Sequence, residues 1–458
     1  MGAGMNGINK NSQGAASLGR RFSRRRFVKL LAGMAVAGAG GYAVYSSMGN
    51  VVSRTLGGET AREVTSIARE MLANGQERYL RQLICSNNTS CRTIMWQSDE
   101  PMNNPAIEYA ETDNLKTLGM VPAVRADFSD DGYDYIQYKA ELTDLKADTS
   151  YQFRVSDDNG AGEWHPICTD GKNSFQMLVF PDSQSSTYDD WANVAQEAAK
   201  RHPEAALFTV LGDLVDNGED SSQWRAWFNA LKGIIDALPF APVMGNHDTY
   251  TREWTFRKPV SYLGYFAHPD NGSQKFNQYY YSFDFGDAHF AVINTQSYEL
   301  GLYENGELVH EQQAWLRKDM RSSSKKWKIV MMHRDVLTYR INGRPERREG
   351  IEDEGVQFMP LFEELEVDLV LTAHLHTYRN RGHIFNFESS DHGPVYILTG
   401  VAGNVRYNNL WIDHALDRYV APQPETDNYL TMDFSENTIA VRCYLPDGTL
   451  LDETVLQK

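Results

Sequence analysis

Gly212-Asp213-Leu214-Val215-Asp216-Asn217-Gly218 closely follows the apolar run Ala206-Leu207-Phe208-Thr209-Val210, and that succession recurs along the chain. Five more segments end apolar runs in the same way. They are Phe180-Pro181-Asp182-Ser183-Gln184, Gly245-Asn246-His247-Asp248, Met331-Met332-His333-Arg334-Asp335, Thr372-Ala373-His374-Leu375-His376 and Thr399-Gly400-Val401-Ala402-Gly403-Asn404. Asp, Asn and His are poor strand formers, so their repeated placement just after β-branched runs calls for a reason other than packing. In open α/β sheets ligands collect at the carboxyl ends of strands. Oxygen and imidazole donors gathered there are suited to divalent cations.

The surrounding pattern agrees. After Lys172 the apolar runs lengthen to five to seven residues and alternate with helical stretches. Strands are expected at 176–180, 206–210, 240–244, 289–294, 328–332, 369–372 and 395–398, and helices at 189–201, 222–237, 312–321 and 355–365. A hairpin at 429–434 and 439–444 closes the chain. Continuous apolar runs are buried on both faces, which predicts helix-covered sheets. Between Cys91 and Thr169 the runs are short and alternating instead, with strands expected at 92–96, 106–109, 135–140 and 151–155 in a small all-β sandwich. Residues 59–84 carry apolar positions at three- and four-residue steps and predict a surface helix packed on the next domain.

Two resemblances sharpen this reading. The segment from Leu142 to Val155, with Leu145 in a turn before Tyr151, resembles the fibronectin-type-III corner; together with Trp96 and Ile107-Glu108-Tyr109 it is similar to the N-terminal domain of purple acid phosphatases. The ordered motifs of residues 182–404 resemble the calcineurin-like metallophosphoesterase superfamily. That resemblance implies a phosphoesterase domain over 171–458, an α/β sandwich of two mixed β-sheets flanked by helices, preceded by a small all-β fibronectin-III-like domain over 89–170 and a linker and helix over 49–88. It implies two metal sites: Asp182, Gln184, Asp213 and His376 for one ion, and Asp213, Asn246, His333 and His374 for the other, with Asp213 bridging. Two divalent ions and two carboxylates leave roughly two positive charges for a phosphate oxygen and for a metal-bound hydroxide that attacks phosphorus. By the same resemblance His247 stabilises the transition state or protonates the leaving oxygen, with Asp248 orienting its ring. Asp216, Asn217 and Asn404 are read as shaping their loops.

Two departures matter. Purple acid phosphatases carry a tyrosine three residues after the bridging Asp, and here that residue is Asp216, so neither a phenolate ligand nor a purple colour is expected. Gln184 stands where most of the superfamily has His; an amide oxygen is a harder, weaker donor, which favours manganese or iron, with zinc as the alternative.

The first 48 residues hold seven basic residues and no acidic ones, so of the net charge of -17 the remainder carries -24. A body that acidic is ill suited to neutralise phosphates along a nucleic acid. Ser23-Arg24-Arg25-Arg26-Phe27-Val28-Lys29, followed by an Ala- and Gly-rich stretch, resembles a twin-arginine export signal. The resemblance implies a transient translocon partner and export across a bacterial inner membrane to the periplasm or cell surface, with a membrane tether if the signal is left uncleaved. Cys85, Cys91, Cys168 and Cys443 suit an oxidising compartment, with Cys85 and Cys91 the nearest pair. Arg334, Arg340 and Arg379 are candidate phosphate contacts. Trp254, Phe256, Tyr262, Tyr265, Phe266 and His268 crowd an insertion that is either aromatic core or a pocket border. The expected function is a phosphatase acting on small phosphate esters. The alternatives are a phosphodiesterase for nucleotides or lipid head groups, and a non-catalytic binding protein.

Overall fold

The computed structural model describes residues 77–302 and 304–458. Two mixed sheets face each other. One runs, in spatial order, Leu450–Gln457, Thr438–Tyr444, Tyr429–Phe434, Phe175–Phe180, Ala205–Val210, Phe240–Pro242, Arg78–Leu83, Arg92–Ser98 and Tyr133–Leu142. The other runs Tyr281–Phe285, Ala288–Val292, Trp327–Met331, Leu369–Thr372, Val395–Thr399 and Tyr378–Phe385. The central strands of each are parallel. Met177, Val179, Leu207, Phe290, Ile329, Leu371 and Ile397 fill the layer between the sheets. The outer face of the first sheet is covered by helices Asp189–Arg201, Ser221–Ala230 and Val260–Tyr265; that of the second by Glu307–Ser322 and Asp353–Glu364. Every parallel strand therefore has two buried faces, which is why these segments read as unbroken apolar runs.

The helices arise from local chemistry. Asp189–Arg201 buries Trp191, Val194, Ala195 and Ala198, one stripe at helical spacing, with Asp189 and Asp190 in its first turn and Lys200 and Arg201 in its last, matching the helix dipole. Ser221–Ala230 starts at Asp220, whose carboxylate accepts from Ser222 N at 2.8 Å. It stops seven residues before the expected end at 237, since Gly233 takes a left-handed φ of 83° and the chain continues as turns. Leu231, Ile234 and Ile235 stay buried there, so the periodicity outlasts the helix.

The helix expected over 59–84 needs correction at its end. Residues 59–76 lie outside the described residues, and Arg78–Leu83 is a strand, antiparallel to Arg92–Ser98 and joined to Phe240–Pro242 through Leu83 and Phe240. Sheet pairing on both sides overrides its helical periodicity. As a result the first sheet runs without a break from the fibronectin-like strands into the phosphoesterase strands, across position 170. Opposite it, Ala106–Glu111, Asn114–Pro122, Ser150–Asp157 and His165–Cys168 form the second layer of the small sandwich, around Trp96, Ile107, Tyr138, Leu142 and Phe153. Tyr151 OH accepts from Lys146 N at 3.0 Å, which closes the expected corner over buried Leu145. Cys85 and Cys91 are bridged, while Cys168 and Cys443 are free thiols. No helix among the described residues is long and apolar enough to cross a membrane.

One ion-pair cluster on the second sheet carries a pH signature. His289 bonds Asp284 through Nδ1 at 2.7 Å and Asp319 through Nε2 at 2.8 Å. Burial disfavours its charge, but the two carboxylates outweigh that and raise its pKa to about 9. The folded state thus holds this proton more tightly than an unfolded histidine, with its pKa near ~6.5. The resulting stability is full below about pH 6.5 and is lost as pH rises through about 9, on the order of 2–3 kcal/mol. Chemical denaturation between pH 6 and 9.5 checks this: His289→Gln should show a flatter profile than the parent, and parallel profiles would refute the assignment.

Candidate metal centre

Each functional side chain stands just past the carboxyl end of a strand: Asp182 and Gln184 after Phe175–Phe180, Asp213 after Ala205–Val210, Asn246 after Phe240–Pro242, His333 after Trp327–Met331, and His374 and His376 after Leu369–Thr372. The two sheets open towards one another there. Ligand atoms of Asp213, His333 and His374 lie within 4.8 Å of one another, and so do those of Asp182, Asp213 and His376. Asp213 is common to both groups.

Backbone geometry makes this convergence feasible. Asp213, His374 and His376 have φ values of 47°, 78° and 52°, a left-handed conformation that non-glycine residues rarely adopt. Strain of this kind, of order ~1–3 kcal/mol per residue, concentrates at functional sites. Glycine is required beside it. A Cβ on Gly245 would stand 2.1 Å from both N and Oδ1 of Asp213, and one on Gly212 2.5 Å from Nδ1 of His333.

Hydrogen bonds settle which atoms face inward. His333 Nδ1 donates to Leu211 O at 2.8 Å, so Nε2 is the nitrogen that faces the group. That nitrogen lies 3.1 Å from Asn246 Oδ1, 3.2 Å from Asp213 Oδ2 and 3.2 Å from His374 Nδ1. Asn246 Nδ2 donates to Tyr250 OH at 3.2 Å, which turns its carbonyl oxygen towards the group. His376 Nδ1 donates to Val405 O at 3.0 Å, leaving Nε2 3.4 Å from Asp182 Oδ1. Asp182 also accepts from His374 N at 2.9 Å. Apart from the backbone N–H groups of His374 and His247, which bond Asp182 and Asp213, the converging atoms are side-chain acceptors, an arrangement that a cation at its centre would stabilise.

The electrostatics agree. Burial opposes charge on Asp213, yet His333 and His247 hold its carboxyl well below the usual range. Burial likewise opposes a charged His333, but Asp213 and Asp182 raise it to about 9. His374 is driven well below its ordinary value by burial and by His333, so it stays a neutral donor. Without a metal, a single proton would have to hold these acceptors together. Gln184 is buried, and neither its Oε1 nor its Nε2 has a hydrogen-bond partner. An amide oxygen orphaned two residues beyond Asp182 fits a role as a ligand. The donor set therefore suits two divalent cations.

His247 stands beside this group, and here the structure corrects the expected orientation. Asp248 does not hold the His247 ring: its carboxylate accepts from Gly245 N at 2.8 Å and Leu214 N at 3.2 Å, stapling the two glycine-bearing loops together. Asp216 holds the ring instead. His247 Nδ1 donates to Asp216 O at 2.8 Å and lies 3.4 Å from Asp216 Oδ1. Burial disfavours charge on His247, but Asp213 and Asp216 raise it to about 9, while burial and Asp213 push Asp248 to about 8. Asp216 was legible as an unusual residue in the motif, but not as the partner of His247, because the bond runs to its backbone carbonyl. Asn404 accepts from Ser186 N at 2.9 Å and fixes the loop after Asp182. Arg379 is withdrawn as a phosphate contact, being buried against Asp417 at 2.6 Å and Asp413 at 3.0 Å. Arg340 pairs at the surface with Glu349, and Arg334, next to His333, pairs with Glu299 and Glu354. His268, buried against Tyr281 and Tyr262, is pushed down to about 3 by burial and belongs with the core. Tyr262, Tyr265 and Phe266 pack there too, whereas Trp254 and Phe256 are exposed.

Known proteins resemble this chain in sequence and in fold. Purple acid phosphatase 15 of Arabidopsis thaliana is 28% identical over 212 residues, 44% of this chain and 36% of its own length. The chain spans little more than a third of the length of the curated relatives it matches first. Among solved structures, purple acid phosphatase PPD1 from yellow lupin seeds superposes with a TM-score of 0.67 at 16% identity, over 83% of this chain and 74% of that one. PhoD does so with a TM-score of 0.60 at 12% identity, over 84% and 91%. At these identities the structural likeness speaks for the fold. The purple acid phosphatase N-terminal domain model matches residues 82–169, and the calcineurin-like phosphoesterase model matches residues 162–378. The chain therefore carries a calcineurin-like phosphoesterase domain preceded by a purple acid phosphatase N-terminal domain.

Proposed function

We propose that this chain is an exported dimetal phosphohydrolase that cleaves small phosphate esters, with monoesters the preferred class. The observation that carries the reading is the convergence of side-chain acceptors from Asp182, Asp213, Asn246, His333, His374 and His376, with Gln184 orphaned beside it. Bound cations would supply Lewis acidity at the phosphoryl oxygens and an activated water. The chain's own part is to hold those cations, to keep His374 and the Nε2 of His333 as lone-pair donors, and to place a protonated imidazole, His247, beside them. With Nδ1 committed to Asp216, Nε2 is the nitrogen of His247 available to protonate a leaving oxygen. Export rests on the twin-arginine-like run at 23–29, outside the described residues, and on the Cys85–Cys91 bridge, which suits an oxidising compartment.

A second reading, phosphodiesterase, is favoured by one feature. Arg334 is spoken for by Glu299 and Glu354, so it brings little net charge to the second anionic oxygen of a monoester. Metal analysis of the purified chain, with a panel of monoesters and diesters, tests both. Two metal equivalents, no purple band and faster turnover of monoesters are expected. A preference for diesters would install the second reading, and a metal-free, inactive protein would end both.

A further inference from the structure

An aromatic rim adjoins the catalytic histidine, and the core does not use it. Trp254 meets the His247 ring edge-on with centroids 5.9 Å apart, and Tyr250 does so at 4.9 Å. Tyr250 stacks on Phe256 at 5.2 Å, and Phe256 meets Tyr298 edge-on at 5.5 Å. Trp254 is 57% exposed, Phe256 42% and Tyr298 61%, although all three are large apolar rings. Exposed aromatics scattered singly need no explanation, but a contiguous arc running outward from a proton donor does.

The rim is also built, not draped. Trp254 occupies a left-handed backbone position, φ 60°, which is an outlier for so bulky a residue. The turn that holds it is closed on itself: Thr251 N donates to Thr255 O at 2.8 Å, Trp254 N to Thr251 O at 3.0 Å, and Thr255 N to Thr251 Oγ1 at 3.1 Å. It is tied to the motif loops as well. Asn217 Nδ2 donates to Thr251 O, Gly218 N to His247 O at 2.9 Å, and Glu219 N to Tyr250 O at 3.1 Å. Tyr250 belongs to both systems, since its hydroxyl accepts from Asn246 while its ring joins the rim. A strained, cross-braced turn that exposes an indole next to His247 is preorganised to meet a ligand.

We infer that this rim is the leaving-group subsite, and that it selects esters whose leaving oxygen is attached to, or lies close to, a flat aromatic group. The inference rests on the phosphohydrolase reading and names its substrate class. A leaving oxygen that departs on the His247 side of the phosphorus faces the rim, because Trp254 and Tyr250 both meet the His247 ring. The group it carries then leaves across Trp254 and towards Phe256 and Tyr298. An aryl ring one bond from that oxygen meets Trp254 first, whereas a nucleobase, held farther out by its sugar, reaches the outer rings. Both offer the same π face, and stacking tolerates either.

Metal-loaded protein and its Trp254→Ala and Phe256→Ala variants decide between these, assayed with phenyl phosphate, adenosine monophosphate and glycerol phosphate. In Trp254→Ala the ratio of kcat/KM for phenyl phosphate to that for glycerol phosphate should fall roughly three- to tenfold, with Trp254→Phe restoring most of it. Phe256→Ala should lower the adenosine monophosphate ratio more than the phenyl ratio if nucleotides are the source, and leave it level if aryl esters are. Damage to His247 alone would move the phenyl ratio upwards, because a glyceryl alkoxide depends more on proton donation than a phenoxide does. Calorimetric titration supplies a readout apart from turnover: phenylphosphonate should bind the parent more tightly than methylphosphonate, and Trp254→Ala should erase that margin. Unchanged ratios with equal phosphonate affinities, in an enzyme that still turns over glycerol phosphate, would overturn the subsite and spare the phosphohydrolase reading. Inactivity towards all three esters would overturn both.

Discussion

Asp213→Asn should lower kcat/KM for every ester by at least about 10³-fold, or about 4 kcal/mol of transition-state stabilisation, and should reduce bound metal below two equivalents. The reason is geometric and electrostatic. Asp213 is the one carboxylate common to both ligand groups, and its Oδ2 lies 3.2 Å from His333 Nε2 while its Oδ1 accepts from His247 N at 2.8 Å. The amide keeps the volume, so the fold should survive. It removes a full negative charge from a fully buried position, where charge is least screened. It also puts an NH2 group, which would repel a cation, in place of one carboxylate oxygen, so the variant would hold a pair of cations poorly even if one stayed. Elemental analysis beside steady-state kinetics checks this, with circular dichroism as the control for folding. A variant that turned over at the parental rate with two metals would reject a centre bridged by Asp213.

His247→Ala should be the second-largest loss, roughly 10²–10⁴-fold in kcat, the usual worth of a positioned proton donor, with both metals retained. His247 contributes its backbone N–H to Asp213 and its ring to Asp216, and alanine keeps the first bond while deleting the second. Metal content should therefore stand while the reaction slows. The slowing should be steeper for alkyl esters than for 4-nitrophenyl phosphate, because a good leaving group needs no proton. Equal losses on both would point to a role in binding, and loss of metal would make His247 a structural support of the centre.

How far the fold was legible from the chain alone differs from element to element. The parallel strands were, since Leu369–Thr372 and Phe175–Phe180 are buried on both faces and short apolar runs of that kind admit few other placements. The strand Arg78–Leu83 was not. Its apolar spacing suits a helix, and only pairing with the next strand, Arg92–Ser98, on one side and with the distant Phe240–Pro242 on the other makes it extended. Asn114–Pro122 was missed for the opposite reason: it is largely exposed and so carries no apolar signature. The motif residues could be singled out because a donor's chemistry is a property of its side chain, and the structure brings Asp182, Asp213, His333, His374 and His376 together. The Asp248 role was misread because an orienting bond is a property of distance, and the nearer partner was the backbone of Asp216.

The sequence by itself determined which atoms this protein can offer a cation and at which ends of which strands they stand, because donor type and strand propensity are local. Only the tertiary structure decided which nitrogen of each imidazole faces the group, which carboxylate serves both ligand groups, and which aromatics are left in solvent beside His247. Those are set by hydrogen bonds and burial between segments separated along the chain, such as His333 with Leu211 and His376 with Val405, and no short window of the chain contains both partners.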